Sequence, residues 1–260
     1  MAMEVQTVFS DGIKRTRLDR VAPAEDASFL RAWRASPWPC VPPMVAIEFD
    51  EASFRTESFA AARMSMPDDV VRSVNKRQAE FFHGRLAARA AMRAMGLPAP
   101  HEVAMGRSRE PVWPEGVVGS ISHNARYAVS IAAPRARHSG VGVDVETRIP
   151  ADALEAVAVA ALGPAEMALL APCTSRRWPS DMLMTAVFSA KESFFKAVYP
   201  SVGRFIDFTA LRWRGWAGER MDVLGFVIDE TLSERWRGGV ECTVNVARID
   251  ASTVVSSCVW

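Results

Sequence analysis

Two short segments concentrate the side chains best suited to polar chemistry. "VGVDVE" (141–146) carries Asp144 and Glu146, and "FSAKESFFKA" (188–197) sets Lys191, Glu192 and Lys196 among Phe188, Phe194 and Phe195. On a strand, alternate side chains share a face, so Asp144 and Glu146 project to one side about 7 Å apart, with Val143 and Val145 on the other. Two enclosed carboxylates need a cation, and a hard divalent ion such as Mg²⁺ takes carboxylate oxygens and completes its shell with phosphate and water. The same pattern also describes a strand with one wet face. On a helix, Phe188, Glu192 and either Phe195 or Lys196 fall on one side. Glu192 and Lys196 form either a plain surface ion pair or part of a polar cluster where core meets solvent, and the rings favour the second.

Two further groups suit anion binding. In "GSISHN" (119–124), Ser122 and His123 close a strand and open a turn, where a hydroxyl, an imidazole and backbone N–H groups can donate to phosphate, or simply serve the turn. Arg77, Arg85 and Arg89 lie along "NKRQAEFFHGRLAARAAMRAMG" (75–96), with Arg107 and Arg109 in "GRSREPVWPEG" (106–116). Arg77 and Arg85 are about 12 Å apart along a helix axis, a reach that fits two phosphates of one extended ligand. Guanidinium offers paired planar donors for such groups. Arg89 reads better as part of a solvated basic face.

The elements that must position these residues follow from pattern. "VAIEFD" (45–50) reads as a strand and 75–96 as a helix, with Phe82, Leu86, Ala90 and Ala94 at i, i+4 spacing and Gly96 placed to end it. Strands are expected at 117–122, 127–133 and 141–146, helices near 151–162, 164–171 and 181–199, and alternating strands through the last 55 residues. Residues 1–43 read as irregular, with "ASPWPCVPP" (35–43) extended by its prolines. The order gives two α/β halves, placed at 1–136 and 137–260 with the boundary in "APRARHSG" (133–140).

Composition excludes several classes. The 260 residues carry a net charge of +1, which argues against a sequence-independent nucleic-acid binder. Four scattered cysteines contain no CxxC pair, so a zinc site is not expected and free thiols suit a reducing cytoplasm. No apolar run approaches the roughly 20 residues that span a bilayer, and the N-terminus does not read as a signal peptide.

Taken in order, "KRQAEFFHGRLAARAA", "REPVWPEGVVGSISH", "VGVDVE" and "FSAKESFFKA" make the chain resemble the 4′-phosphopantetheinyl transferases, in the branch of enterobactin synthase component D. The resemblance covers roughly residues 45–210. It implies a pseudo-dimer of two similar α/β lobes with the site in the cleft between them. It also implies transfer of the phosphopantetheine arm of coenzyme A to a serine of an acidic apo carrier protein, with Mg²⁺ (or Mn²⁺) as cofactor and adenosine 3′,5′-bisphosphate released. By resemblance, Asp144, Glu146 and Glu192 are metal ligands, joined by the backbone carbonyl of Val145. Lys191 and Lys196 stand near the pyrophosphate, and Ser122 and His123 on coenzyme A phosphate, with His123 near the 3′-phosphate. Arg77, Arg85 and Arg107 or Arg109 surround the nucleotide. Asp144, Glu192 and Lys196 would carry catalysis, with Glu192 the candidate base. The carrier would dock near residues 163–187, and a pseudo-dimer with its cleft already formed can be a monomer. A Mg²⁺-dependent nucleotide hydrolase, or a coenzyme A or carrier-binding protein without activity, are the competing readings; the missing P-loop counts against the first and the complete carboxylate set against the second.

Overall fold

The computed structural model describes residues 6–8, 14–19, 21–23, 26–97 and 102–260. The chain divides into two compact units, Met1–Val141 and Gly142–Trp260. Each repeats one plan, a largely antiparallel sheet crossed by one long helix.

The first unit holds β1 (Gln6–Val8), β2 (Lys14–Arg17), β3 (Phe29–Ala35), β4 (Met44–Phe49), the short helices α1 (Glu57–Ala61) and α2 (Asp68–Val71), and the long α3 (Asn75–Ala94). The hairpin β5 (Ala104–Met105) and β6 (Pro111–Val112) follows, then β7 (Val117–His123) and β8 (Tyr127–Pro134). The six-stranded sheet runs β1-β2-β3-β4-β8-β7. Apolar alternation on β4 turns Val45, Ile47 and Phe49 toward α3, where Ala79, Phe82, Leu86 and Ala90 meet them. The expected i, i+4 stripe is thus buried as far as Ala90, but Ala94 is exposed, two residues before Gly96, whose φ of +83° ends the helix in the left-handed region glycine adopts without strain.

The N-terminal stretch departs from expectation. Residues 29–35 form β3, paired along its length with β4, and β1 and β2 extend the sheet. Leu30 and Arg31 are both exposed and Ala32 and Trp33 both buried, so β3 shows no clean alternation, and the ladder to β4 supplies what local pattern does not. The proline-rich segment is the bent connection from β3 to β4, with Trp38 buried inside it.

The second unit takes β9 (Val141–Thr147), α4 (Leu154–Ala161), α5 (Pro164–Cys173), α6 (Ser180–Val202), β10 (Leu211–Trp216), β11 (Val223–Ile228), β12 (Glu241–Arg248) and β13 (Thr253–Val259). Its sheet runs β10-β11-β12-β13-β9. The α6 residues Ala186, Val187, Ala190, Phe194 and Ala197 pack with Trp213, Phe226, Val244 and Val254 to form the core. Gly142 fixes how closely β9 approaches α6. A Cβ at that position would overlap the Ser193 carbonyl oxygen and lie 2.8 Å from the Ala197 nitrogen, so only a residue without one allows this contact. No helix among the described residues is long and apolar enough to cross a membrane.

Candidate active site

Period-two alternation places Gly142, Asp144 and Glu146 on the same face of β9, the face that Gly142 lays against α6. Two residues beyond that close approach, the Lys196 ammonium reaches Asp144 and donates to Oδ1 at 2.6 Å. Asp144 is 2% exposed, so this face of β9 is not the wet one that the sequence also allowed. Glu146 and Glu192 join the same electrostatic neighbourhood. Burial first, then the Asp144 charge, pushes the Glu146 carboxyl up to about 8, with Lys196 opposing and Glu192 reinforcing. Burial likewise raises Glu192, against the pull of Lys196 and with a push from Asp144. Asp144, Glu146 and Glu192 thus all interact with the Lys196 ammonium, and the upward direction of the Glu146 and Glu192 shifts shows that burial and the neighbouring acids outweigh its pull.

The donor set is all oxygen and partly enclosed, which suits a hard divalent ion. Among the described residues no three His, Cys, Asp or Glu side chains are already grouped to hold a metal as they stand. Lys196 occupies one Asp144 oxygen. Val145 has no donor atom in its side chain, which is buried, so only its main-chain carbonyl could serve as a ligand.

The rings around this segment pack within the unit. Phe194 meets Trp236 at 5.3 Å, Phe188 meets Phe208 at 5.3 Å, and Phe195 lies between Tyr199 and Phe205. Beside Glu192, Phe194, Phe195, Phe205 and Phe208 line a cavity of about 160 Å³ with Ile206 and Leu211. Phe205 was not singled out by sequence, because a lone ring in a short loop carries no pattern.

Lys191 requires a correction. It was expected beside a pyrophosphate, but it turns into the unit and is 3% exposed. Its Nζ donates to the carbonyls of Ala161 at 2.7 Å and Phe208 at 3.0 Å and pairs with Glu166 Oε1 at 2.7 Å. Glu166 itself accepts from the N–H groups of Trp213 and Gly163. Lys191 is thus a buried tie between α4, α5, α6 and the loop before β10.

The basic residues gather in the first unit. Arg77, Arg85 and Arg109 line a cavity of about 110 Å³ with His123 and Glu80. Arg77 Nη1 lies 3.0 Å from His123 Nε2. Glu80 Oε2 stands 3.6 Å from His123 Nδ1 and 3.7 Å from Arg77 Nη1. Arg85 donates from Nε to the Val103 carbonyl at 2.7 Å and stacks over Phe81, and its burial, with Arg77 nearby, lowers its pKa to about 10. Of the two arginines in the β5–β6 turn, Arg109 lines the cavity and Arg107 is exposed outside it. Ser122 lies on the opposite face of β7 from His123, so the structure separates that pair's side chains. Arg89 is not on a solvated face: it is 9% exposed and donates to the carbonyls of Ala62 and Arg63. Glu80 was missed in the sequence, where one acid among helical basic residues reads as an ordinary ion-pair partner.

Residues 67–133 match the 4′-phosphopantetheinyl transferase N-terminal domain, and residues 140–247 match the 4′-phosphopantetheinyl transferase superfamily. Similar proteins include 4′-phosphopantetheinyl transferase Svp of Streptomyces mobaraensis, 40% identical over 54% of this chain and 55% of that protein. Another is 4′-phosphopantetheinyl transferase PptT of Mycobacterium tuberculosis, 34% identical over 54% of this chain and 59% of that protein. Enterobactin synthase component D of Shigella flexneri is 32% identical over 64% of this chain and 76% of that protein. The chain thus spans little more than half the length of the first two relatives and about three quarters of the third.

Proposed function

Because the chain belongs to the 4′-phosphopantetheinyl transferase superfamily, we propose that it moves the phosphopantetheine arm of coenzyme A to a serine hydroxyl of an apo carrier protein. The observation that carries this reading is the gathering of Asp144, Glu146 and Glu192 about the ammonium of Lys196. The serine oxygen forms a bond to the β-phosphorus, the bond from that phosphorus to the nucleotide's bridging oxygen breaks, and adenosine 3′,5′-bisphosphate leaves. The phosphorus is ringed by negative oxygens, so the protein's work is positioning and charge neutralisation. Asp144, Glu146 and Glu192, with the Val145 carbonyl, would hold Mg²⁺. Bound there, the ion would neutralise charge on the diphosphate and on the leaving oxygen.

Lys196, held on Asp144 Oδ1 at 2.6 Å, places a positive charge of the protein's own at the same point. Glu192, raised by burial toward the range of a useful base, takes the serine proton. The cavity walled by Phe195, Phe205 and Phe208 offers the pantetheine arm an apolar wall beside Glu192. Arg77, Arg85, Arg109 and His123 take the nucleotide phosphates in the first unit. An apolar groove lined by Leu154, Val159, Leu162, Met167 and Met184 supports docking of the carrier on α4 and α5, at the edge of the 163–187 stretch.

The test is transfer of a fluorescently tagged pantetheine from coenzyme A to a panel of apo carrier domains, with and without Mg²⁺. Labelling that needs the ion, and falls by about a hundred- to a thousandfold in Glu192→Ala, is the expected result. Nucleotide release from coenzyme A with no carrier present would point to hydrolysis instead. Labelling that survives in Glu192→Ala would overturn the assignment of this cluster.

A further inference from the structure

The turn between β5 and β6 holds one residue in a conformation that L-amino acids avoid. Arg109 has a φ of +66°, in the left-handed region where short hairpin turns usually place glycine. Its N–H donates to the Gly106 carbonyl at 3.0 Å, and the Gly106 N–H donates to the Glu110 carbonyl at 2.8 Å, which closes the turn. Strain of this kind persists where the surroundings enforce it, and a side chain kept at a glycine position points to a use for that side chain. Arg109 lines the cavity that Arg77 and Arg85 also line. Its Nη2 stands 4.0 Å from Asp69 Oδ2, an exposed pair too loose to fix the guanidinium. The direction of Arg109 therefore depends on the shape of the turn.

The Glu110 carboxylate enforces that shape. It folds back across its own turn, and Oε2 accepts from the Ser108 N–H at 2.9 Å. It also occupies the space that a side chain on Gly106 would take: a Cβ there would come 2.1 Å from Oε1 and 2.3 Å from Cδ. Gly106 is outside the left-handed region, so the carboxylate, not the backbone, is what calls for glycine at this position. Gly106 leaves the room, Glu110 fills it and holds Ser108, and the next residue back is the strained Arg109.

We propose that Glu110 is a positioning residue, whose carboxylate holds the 106–110 turn in the shape that presents Arg109 to the cavity. The inference rests on the coenzyme A reading of that cavity and adds the residue that sets the direction of one of its cations. Glu110 acts through Arg109 and through the Ser108 N–H, so an acceptor at this place is needed and its negative charge is not.

The experiment is steady-state carrier labelling by the full chain, with coenzyme A varied at saturating carrier and Mg²⁺. Arg109→Ala should raise the KM for coenzyme A about tenfold, the loss of one hydrogen bond to a charged group. Glu110→Ala should raise it about threefold to tenfold and leave kcat within about twofold of wild type. In the Arg109→Ala background, Glu110→Ala should change KM by less than about twofold, since the residue it positions is gone. Gly106→Ala keeps Glu110 in the chain but puts a methyl where its carboxylate lies, and should match Glu110→Ala. Glu110→Gln keeps an acceptor for the Ser108 N–H and should return KM to within about twofold of wild type. A KM unmoved by Glu110→Ala, a rise of equal size with and without Arg109, or a fall in kcat in its place would overturn the positioning role and leave the coenzyme reading intact. So would a wild-type KM in Arg109→Ala. A wild type that labels no carrier and gives no calorimetric binding of coenzyme A would overturn the coenzyme reading, and this inference with it. Should Glu110→Ala fail to fold, Gly106→Ala and Glu110→Gln decide the matter: KM raised in the first and not in the second supports the proposal, and any other pattern refutes it.

Discussion

Replacing Lys191 with methionine separates a structural lysine from a ligand-binding one. The substitution keeps most of the volume and removes the ammonium. Glu166 then loses its partner at 2.7 Å but keeps two backbone donors, the N–H groups of Trp213 and Gly163. The Ala161 and Phe208 carbonyls lose their donor as well. Removing one member of a buried ion pair costs about 3–5 kcal/mol. The two stranded carbonyls belong to the same event, so they hold the figure near the upper end of that range rather than adding to it in full. In urea, with a slope of about 1–3 kcal/mol per molar, the midpoint of the unfolding transition should fall by more than about 1 M. Adding Glu166→Gln to Lys191→Met removes the unpaired charge and should return about 1–2 kcal/mol, a coupling that a double-mutant cycle measures directly. The KM of the folded variant for coenzyme A should stay within about threefold of wild type, a difference of less than 1 kcal/mol. A midpoint that barely moves, together with a KM raised tenfold or more, would show that Lys191 meets the substrate and that its inward pose is wrong.

Two other perturbations bear on the acidic cluster. Gly142→Ala forces a methyl into the Ser193 carbonyl and against the Ala197 nitrogen. It should cost about 3 kcal/mol and lower transfer activity further than the lost stability explains, since β9 must move away from the helix that carries Glu192 and Lys196. Urea titration and carrier labelling read the two effects. Glu146 gives a pH signature in the absence of divalent ions. Its carboxyl is raised from 4.5 in the unfolded chain to about 8 in the native one, so between these values the native state holds the proton that the unfolded state has released. Stability from this group is present below about pH 4.5 and declines as pH rises to about 8, by at most about 1.4 kcal/mol per unit. Glu146→Gln should flatten that decline, and so should Mg²⁺ added to the wild type; a slope unchanged in Glu146→Gln would assign the titration to another group.

The parts of the molecule legible in advance were those with a strong local period. The alternation of "VGVDVE" put both acids on one face, and that face meets α6. The long helices declared themselves by apolar spacing, as Phe82, Leu86 and Ala90 do in α3. What failed to show was non-local. β3 exists because β4 pairs with it. Arg89 is buried because the turn after α1 offers two carbonyls to it. Glu80 becomes distinctive only when β7 brings His123 beside it. Gly142 carried a readable signal, a glycine inside a strand, which marks close approach by another backbone. The sequence did not say that the backbone would be the helix bearing the third acid.

The lysines of α6 show where local geometry outweighs resemblance. At about 100° per residue, Glu192 and Lys196 differ by about 40° around the helix, whereas Lys191 and Lys196 differ by about 140°. Two ammonium groups so far apart on one rod cannot both face the same small anion. One of them had to turn toward the core or away from the cluster. The neighbours decide which: Ala190 and Phe194 flank the Lys191 side and are fully buried, while Phe195 and Lys196 lie at the partly exposed edge. An ammonium on the buried side survives only if it is saturated with acceptors, and Glu166 with two carbonyls saturates it. The segment therefore splits its charges by direction, with Lys191 holding the helix to its unit and Glu192 with Lys196 left to meet Asp144 and Glu146.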